Sequence, residues 1–162
     1  MRTVHWLFVI GLALFISGIG FIIAGARASR AAAPAAPAVS FTAVATTKQI
    51  MNALVSPSST VVYEAVGTVV DASGVHDFAP KDDQEWAHLA ANAAVLAESG
   101  NLLLMDGHAV DSGEWAQISR KLIEAADAAR KAAENKSTAG VLAAGEAINE
   151  TCDSCHKTYQ RQ

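Results

Sequence analysis

Three residues near the C-terminus have the types and the spacing to attach a metal cofactor. The run Cys152-Asp153-Ser154-Cys155-His156 has the form C-x-x-C-H, which is the attachment pattern of a c-type haem. On a helix, positions i, i+3 and i+4 share one face. Two thiols there can add across the two vinyl groups of one haem, while the imidazole reaches the iron. We therefore predict one covalent haem c on Cys152 and Cys155, with His156 as the proximal iron ligand.

Other uses of a cysteine pair fit this sequence less well. A dithiol redox motif usually lies between a strand and a helix of a βαβ unit, and the sequence has no such pattern. Zinc prefers four ligands, and the chain has only two cysteines and no second cysteine–histidine cluster. A structural disulfide in an exported domain stays open as an alternative.

The first segment, residues 1–28, is predicted to be a membrane anchor or a signal sequence. Residues 7–26 form a run of 20 residues without a charge. A spanning helix needs about 20 residues, whereas the apolar core of a signal peptide usually has about 7–15. The length favours an anchor, but Ala26-Arg27-Ala28 resembles a small-x-small cleavage site. Both alternatives export the domain, either on the periplasmic face of a bacterial inner membrane or as a soluble periplasmic protein.

The charge of the remaining chain excludes one class of function. Residues 1–40 contain three arginines and no acidic residue, so the later residues have 9 basic against 16 acidic side chains, a formal charge of −7. Nucleic-acid binding depends on the neutralisation of phosphates by Lys and Arg. We therefore expect no nucleic-acid partner.

The region after an Ala/Pro linker at residues 29–40 has helical periodicity and many alanines, which favour closely packed helices. The first predicted helix covers about 42–56 and resumes at 58–71 after Pro57, so that it is either one long kinked helix or two. The second runs from Asp82 to about Met105, the third begins at Asp111 and Glu114, and the last is capped by Ser137. Residues 74–80 are predicted to be a connection. Four such helices predict an all-α fold, an antiparallel four-helix bundle at residues 41–162 preceded by the N-terminal hydrophobic helix.

The apolar positions of these helices form stripes that predict the core. The first stripe contains Val44, Met51, Leu54 and Val55, with a period of 3.6 residues. The other inward positions are Trp86, Leu89, Ala93 and Leu96 in the next helix, Trp115, Ile118, Leu122, Ala125 and Ala129 in the third, and Val141, Gly145 and Ile148 in the last.

An attachment run on the last of four helices resembles the class II c-type cytochromes, the cytochrome c′ family and its low-spin His/Met relatives. The resemblance covers residues 42–162. It includes the stretch from Lys48 to Met51, similar to the family's Arg-Gln-x-x-Met pattern, and Tyr159, which stands where the family has an aromatic residue. The chain departs from the pattern at Thr47 and Gln160, where the family has basic residues. The resemblance implies a cytochrome c′-like bundle with Met51 on the distal side of the haem.

The ligand on the distal side is ranked by position along the predicted bundle. Met51 lies about 14 Å from the shared end and His156 about 6 Å from it, so one haem can contact both. The resemblance makes Met51 the distal ligand, and the alternative is that it only packs beside an open iron site. Met105 and His108 stay open as ligands, whereas His88 lies about 25 Å away.

Large apolar side chains share the haem end of the predicted bundle. We expect Leu102, Leu103 and Trp115 to form walls of the haem pocket, together with Tyr159. Such walls exclude water and raise the reduction potential of the iron.

The predicted function is one-electron transfer by a monohaem cytochrome in the periplasm or at the membrane, because His/Met ligation leaves no place for a substrate. No acid, base or nucleophile cluster predicts an enzyme. A five-coordinate protein that binds small gases such as NO or CO, and a cytochrome subunit of a larger oxidoreductase, stay open. The expected partners are redox proteins, which a basic rim of Lys48, Lys157 and Arg161 would steer if they are acidic. A homodimer also stays open.

Overall fold

The structure is a computed structural model that describes residues 2–31 and 41–160. It divides into two units, Met1–Ser40 and Phe41–Gln162, and each is described by itself. The described residues are mostly helical, as predicted, and they include two short strands that were not predicted. The first residues of the predicted linker, 29–31, belong to a helix. Residues 32–40 and Arg161 lie outside the described part of the chain.

The first unit contains one long apolar helix, α1 (Arg2–Ala31). Its stretch Val4–Arg27 has 24 residues with a mean hydropathy of 2.7, and none of its most apolar window is buried. At 1.5 Å per residue this stretch is about 36 Å long, enough to cross a hydrocarbon core of about 30 Å. By length and composition α1 fits either a membrane span or a signal sequence.

The second unit begins with a helical stretch that starts later than predicted. Thr46 is the N-cap, and its hydroxyl accepts a hydrogen bond from the Gln49 amide (3.2 Å), while the Gln49 side chain accepts one from the Thr46 amide (2.8 Å). This capping box satisfies two amides that would otherwise lack a partner, so the helix begins at residue 47 rather than 42. Val44 therefore lies outside the helix and is 92% exposed, and its predicted place in the core is wrong.

Pro57 changes the geometry of this stretch without ending it. The chain passes from α2 (Thr47–Ile50) through a π-helical turn (Met51–Val55) into α3 (Ser56–Glu64). In the π turn the Ser56 amide donates to the carbonyl of Met51, five residues back. A proline has no N–H and its ring clashes with the carbonyl four residues earlier. The wider turn before Pro57 relieves this clash, so the predicted break or kink is a π turn.

A β-hairpin replaces the second half of the predicted 58–71 helix and the predicted connection at 74–80. Strand β1 (Gly67–Asp71) pairs antiparallel with β2 (Gly74–Phe78), with Val70 opposite Val75. The β-branched residues of β1 fit a pleated strand better than a helix. The Asp71 carboxylate accepts a hydrogen bond from the Ser73 amide (2.7 Å), and Gly74 has φ +130°, which favours glycine.

Three long helices complete the second unit: α4 (Asp83–Leu103), α5 (Glu114–Glu134) and α6 (Thr138–Tyr159). The predicted caps Asp82 and Ser137 are confirmed, since their side chains accept hydrogen bonds from backbone amides three residues later (2.9 and 3.2 Å). The predicted capping box at α4 is incomplete, because Glu85 accepts from the Lys81 amide. At α5 the N-cap is Gly113, and Asp111 accepts from the amides of Gly113 and Trp115.

Close packing of small residues joins these helices. Helix α4 contacts α3 and α5, and α6 contacts α3 and α5. A Cβ added to Gly100 of α4 would lie 2.6 Å from Cγ1 of Ile123 in α5, so this interface leaves no room for a larger side chain. The predicted inward positions of α5 are all buried, namely Trp115, Ile118, Leu122, Ala125 and Ala129. The core therefore follows the predicted stripes of the later helices, while the four-helix bundle itself stays a prediction.

Candidate functional site

One cavity of about 750 Å³ brings together four residues that the sequence singled out. Helix α6 places Cys152, Cys155 and His156 along it, and the π turn places Met51 on it. Both cysteines and Met51 are partly buried and pack against the core, whereas His156 is exposed. Residues separated by about a hundred positions in sequence thus line a single space, with the thiols and the imidazole on one helix and the thioether on another.

The cavity is lined by both apolar and polar side chains. Val55, Leu103, Trp115, Ile118 and Leu122 are buried side chains that line it. A cavity of this size falls within the range of about 300–1,000 Å³ that small-molecule and cofactor sites occupy, and such sites are lined mostly by apolar side chains. The walls can therefore cover the faces of a large planar ligand and keep water from them.

The two cysteine thiols are free and are held in their protonated form. Burial raises the pKa of Cys152, and burial together with the neighbouring Cys152 raises the pKa of Cys155. Both lie towards the C-terminal end of α6, where the helix dipole disfavours an anion. Reactive dithiols need a lowered thiol pKa, usually at a helix N-terminus. The environment therefore argues against a thiol–disulfide redox centre.

Tyr63 is a member of the site that the sequence interpretation missed. It lines the cavity from α3 and hydrogen-bonds Cys152 on α6. Burial, and then the proximity of Cys152, raises the pKa of Tyr63 to about 12, so its hydroxyl keeps its proton as a donor. A signal existed in the sequence: Asn52, Ser56, Ser59 and Tyr63 recur at helical spacing, and all four line the cavity.

An aromatic pair, Trp115 and Tyr159, also lines the cavity. The rings of Trp115 and Tyr159 meet edge to face with centroids 5.1 Å apart. The Tyr159 hydroxyl donates to the Asp111 carboxylate (2.5 Å), which raises the pKa of Tyr159 to about 12 and lowers the pKa of Asp111. The Trp115 indole N–H donates to the carbonyl of Leu103 (2.7 Å). These bonds tie the end of α6 to the start of α5 and the end of α4.

Other predicted residues lie away from this cavity. Leu102 and Met105 line a separate groove beside Phe41 and Leu54, whereas Leu103 lines the cavity. Buried His108 has both ring nitrogens within 2.8 Å of backbone carbonyls, those of Leu102 and Ala45, which leaves neither nitrogen directed at an iron. Of the alternative distal ligands, neither Met105 nor His108 is placed on the cavity.

The arrangement of donors fits a covalently attached haem. It supplies two free thiols three residues apart, an imidazole on the next residue and a thioether on another helix, around one apolar cavity. Among the residues that the structure describes, no three His, Cys, Asp or Glu side chains converge as a metal-binding group, so the four-ligand arrangement that zinc prefers has no basis there. Comparison with protein-family models, curated proteins and solved structures finds no match to this chain.

Proposed function

We propose that this chain is a monohaem c-type cytochrome that carries one electron at a time. In this proposal the haem is bound through thioethers to Cys152 and Cys155, His156 is the proximal iron ligand and Met51 is the distal ligand. The protein acts as an electron carrier and not as an enzyme. The haem supplies an iron that alternates between two oxidation states, and His/Met ligation favours a higher reduction potential.

The observation that carries the proposal is the shared cavity. A C-x-x-C-H run is a local pattern, and its five residues would be near one another in any helix. Met51 is about 100 residues away in sequence, and its presence on the same cavity is an independent, long-range agreement with the ligand set. Met105 lines a separate groove, and both ring nitrogens of His108 contact backbone carbonyls. These two placements further favour Met51 as the distal ligand.

The second unit is proposed to be a four-helix bundle of the class II cytochrome type. Its four helical parts are the stretch from residue 47 to 64, α4, α5 and α6, with the haem at the end where α6 stops. Contacts of α3 with α4 and α6, and of α5 with α4 and α6, support this arrangement. The hairpin β1–β2 is an addition to it between the first two helical parts.

The N-terminal helix is proposed to anchor the protein in a bacterial inner membrane, with the haem domain in the periplasm. Its apolar stretch of 24 residues exceeds the length of a usual signal-peptide core. Export also agrees with haem attachment outside the cytoplasm, and anchoring would confine the carrier to the plane of its redox partners. Cleavage of this helix would leave a soluble periplasmic carrier with the same site.

The chain's own residues have distinct tasks around the haem. Leu103, Trp115 and Leu122 exclude water, which lowers the local dielectric constant around the iron. The Tyr159–Asp111 bond fixes the last turn of α6 and with it the His156 backbone. Tyr63 holds the Cys152 sulfur through its hydroxyl. A site fixed at several points changes little between oxidation states, which suits rapid electron transfer.

Spectra of protein matured in a host with haem-attachment machinery test this proposal. The expected mass is that of the polypeptide plus one haem, and the expected spectrum is low-spin, with a sulfur-to-iron band in the near infrared. Met51→Ala should abolish that band and make the iron high-spin. Met105→Ala is the matched control, because Met105 lines a different groove, and it should leave the spectrum unchanged.

Carbon monoxide separates electron transfer from gas binding. If Met51 is a ligand, the reduced wild type should resist carbon monoxide and Met51→Ala should bind it. A wild type that binds carbon monoxide readily and is unaffected by Met51→Ala would instead identify a five-coordinate gas-binding protein. A chain with the mass of its amino acids alone would contradict both alternatives. Co-purification from membranes in mild detergent would identify a permanent oxidoreductase subunit.

A further inference from the structure

A second concave surface lies between α3 and α6, next to the candidate haem cavity. This α3–α6 groove has a volume of about 320 Å³. Its floor is formed by Val62, Val66 and Val141, which are 1–4% exposed, and its sides include Tyr63 and Leu142, which are 41% and 47% exposed. The groove therefore offers exposed apolar surface over a packed, rigid floor.

Tyr63 joins this groove to the haem cavity. Its side chain lines both spaces, and it hydrogen-bonds Cys152, one of the two proposed attachment points. A molecule seated in the α3–α6 groove would therefore be separated from the haem-bound sulfur by a single side chain. Such proximity is what electron exchange between two proteins requires of a contact surface.

The rim of the groove is acidic. Glu146 lines the groove, and Glu150 and Asp153 follow it at helical spacing along the exposed face of α6. Glu64 comes next to Tyr63 at the end of α3. None of these four carboxylates forms a salt bridge with another described residue. The cation that continues this face of α6, Lys157, comes one turn after Asp153, beyond the groove. Four negative charges without a salt bridge thus lie in or near the groove, and Glu146 lines it directly.

We propose that the α3–α6 groove is the docking surface for a basic one-electron redox protein, which places an apolar side chain between Tyr63 and Leu142 and rings it with Lys or Arg. Charge complementarity supports this occupant, because an acidic rim attracts a basic surface and raises the association rate. An apolar centre within a charged rim is also the usual anatomy of a specific interface. The inference rests on the proposed electron-carrier function. It predicts a basic partner, whereas a partner steered by Lys48 and Lys157 would be acidic.

The rate of electron exchange with charged small molecules tests the surface. The full-length haem protein in detergent, reduced beforehand, is mixed in a stopped-flow instrument with tris(phenanthroline)cobalt(III), a cationic oxidant with aromatic ligands. One electron passes from each ferrous protein to each cobalt(III), which becomes cobalt(II). We expect the triple variant Glu64→Gln, Glu146→Gln, Glu150→Gln to react on the order of 5-fold more slowly at low salt, and this difference should disappear at high salt.

A matched triple variant separates local from overall charge. Glu98→Gln, Asp106→Asn and Glu124→Gln change the net charge by the same amount on α4, α5 and the connection between them. This control should change the rate by less than about twofold. Leu142→Asn, added to the control set, should slow the reaction of the bulky aromatic oxidant further, because it removes an apolar contact in the groove without a change of charge.

The outcomes decide between the surfaces. Equal slowing by the two triple variants, or no slowing by either, would overturn docking at the groove. If Lys48→Gln instead slows oxidation by anionic ferricyanide while the groove variant has no effect on the cobalt reaction, the basic rim is the docking surface. Failure of the proposed function is distinguishable, since the purified chain would then have no covalent haem and no electron exchange with either reagent.

Discussion

The two helical walls that contribute the proposed haem contacts differ in regularity. Helix α6 is an unbroken α-helix of 22 residues that presents Cys152, Cys155 and His156. The facing wall passes from α-helix through a π turn and back to α-helix within 18 residues, and Met51 lies at the first position of the π turn. Covalent attachment needs three side chains at fixed relative positions, which a regular helix provides. A single thioether ligand needs only to reach the iron, so its wall tolerates irregular geometry.

The π turn in the irregular wall is a feature that is common at functional sites. Here Pro57 gives a local physical cause for the turn. For the proposed cytochrome the comparison implies a division of tasks: α6 would hold the haem, and the π turn would determine what faces the iron. Changes in the two walls should therefore have different spectroscopic signatures.

The largest expected effect comes from removing the attachment points on α6. Cys152→Ala combined with Cys155→Ala should abolish covalent haem, so that the mass of the purified chain equals that of its amino acids. Met51→Ala on the facing wall should keep the full covalent haem mass, because it changes only ligation. Intact-protein mass spectrometry checks both. A double variant that still carried covalent haem, or a Met51→Ala chain that lost it, would contradict the division of tasks.

The next effect is expected from Pro57→Ala. Alanine restores an N–H that can donate to the carbonyl of Ala53, and it removes the ring clash that favours the π turn. Conversion to a regular helix would rotate one side of the turn by about 100° relative to the other. Val62 anchors α3 in the core and Ile50 anchors α2, so both helices would have to adjust, and Met51, which lies between them, would move.

We therefore expect Pro57→Ala to lower the low-spin fraction and weaken the near-infrared sulfur-to-iron band, while covalent haem is retained. The spectrum of the oxidised protein measures this directly. Replacement of an exposed residue in the next turn, Thr60→Ala, is the control and should leave the band intact. An unchanged band in Pro57→Ala would mean that the proline does not determine how Met51 reaches the iron.

The contrast between the walls also explains what the sequence could predict. The α6 site depends on spacings of three and four residues, so it follows from local helical geometry. The caps Asp82 and Ser137 and the buried stripe of α5 are equally local. Tyr63 was missed because its role comes from a contact with Cys152 across 89 positions. Val44 was misplaced because the Thr46–Gln49 capping box, rather than apolar periodicity, determines where the helix begins.

The hairpin is a second feature that local sequence patterns did not predict. Residues 58–71 resume a helical pattern after Pro57, which predicts a helix there, but Gly67–Asp71 is a strand. Strand pairing depends instead on the partner strand and on a turn in which Gly74 has φ +130°. The turn chemistry of Asp71 and Ser73 was present in the sequence and was the available signal. Helical and strand preferences compete in this segment, and pairing with β2 decides between them. The residues of one strand alone do not show that pairing.

The smallest expected effect concerns the bond that fixes the end of the regular wall, between Tyr159 and Asp111. This bond lowers the pKa of Asp111 from its ordinary value of 3.8 and raises the pKa of Tyr159 from 10.0 to about 12. Its stabilisation is therefore complete between about pH 4 and pH 10. It is lost as pH falls through the lowered pKa of Asp111, and it is lost as pH rises towards 12 and Tyr159 ionises.

Tyr159→Phe should accordingly lower the free energy of unfolding near neutral pH, and the difference from wild type should shrink at both extremes. Urea unfolding at a series of pH values measures it. Tyr63→Phe is the informative control from the facing wall, because burial is the main cause of the raised pKa of Tyr63 and Asp111 is not involved. Its difference from wild type should shrink only on the alkaline side. A Tyr159→Phe difference that persisted unchanged into strong acid would show that the carboxylate of Asp111 does not stabilise the end of α6, and that the regularity of this wall depends on packing against Trp115 alone.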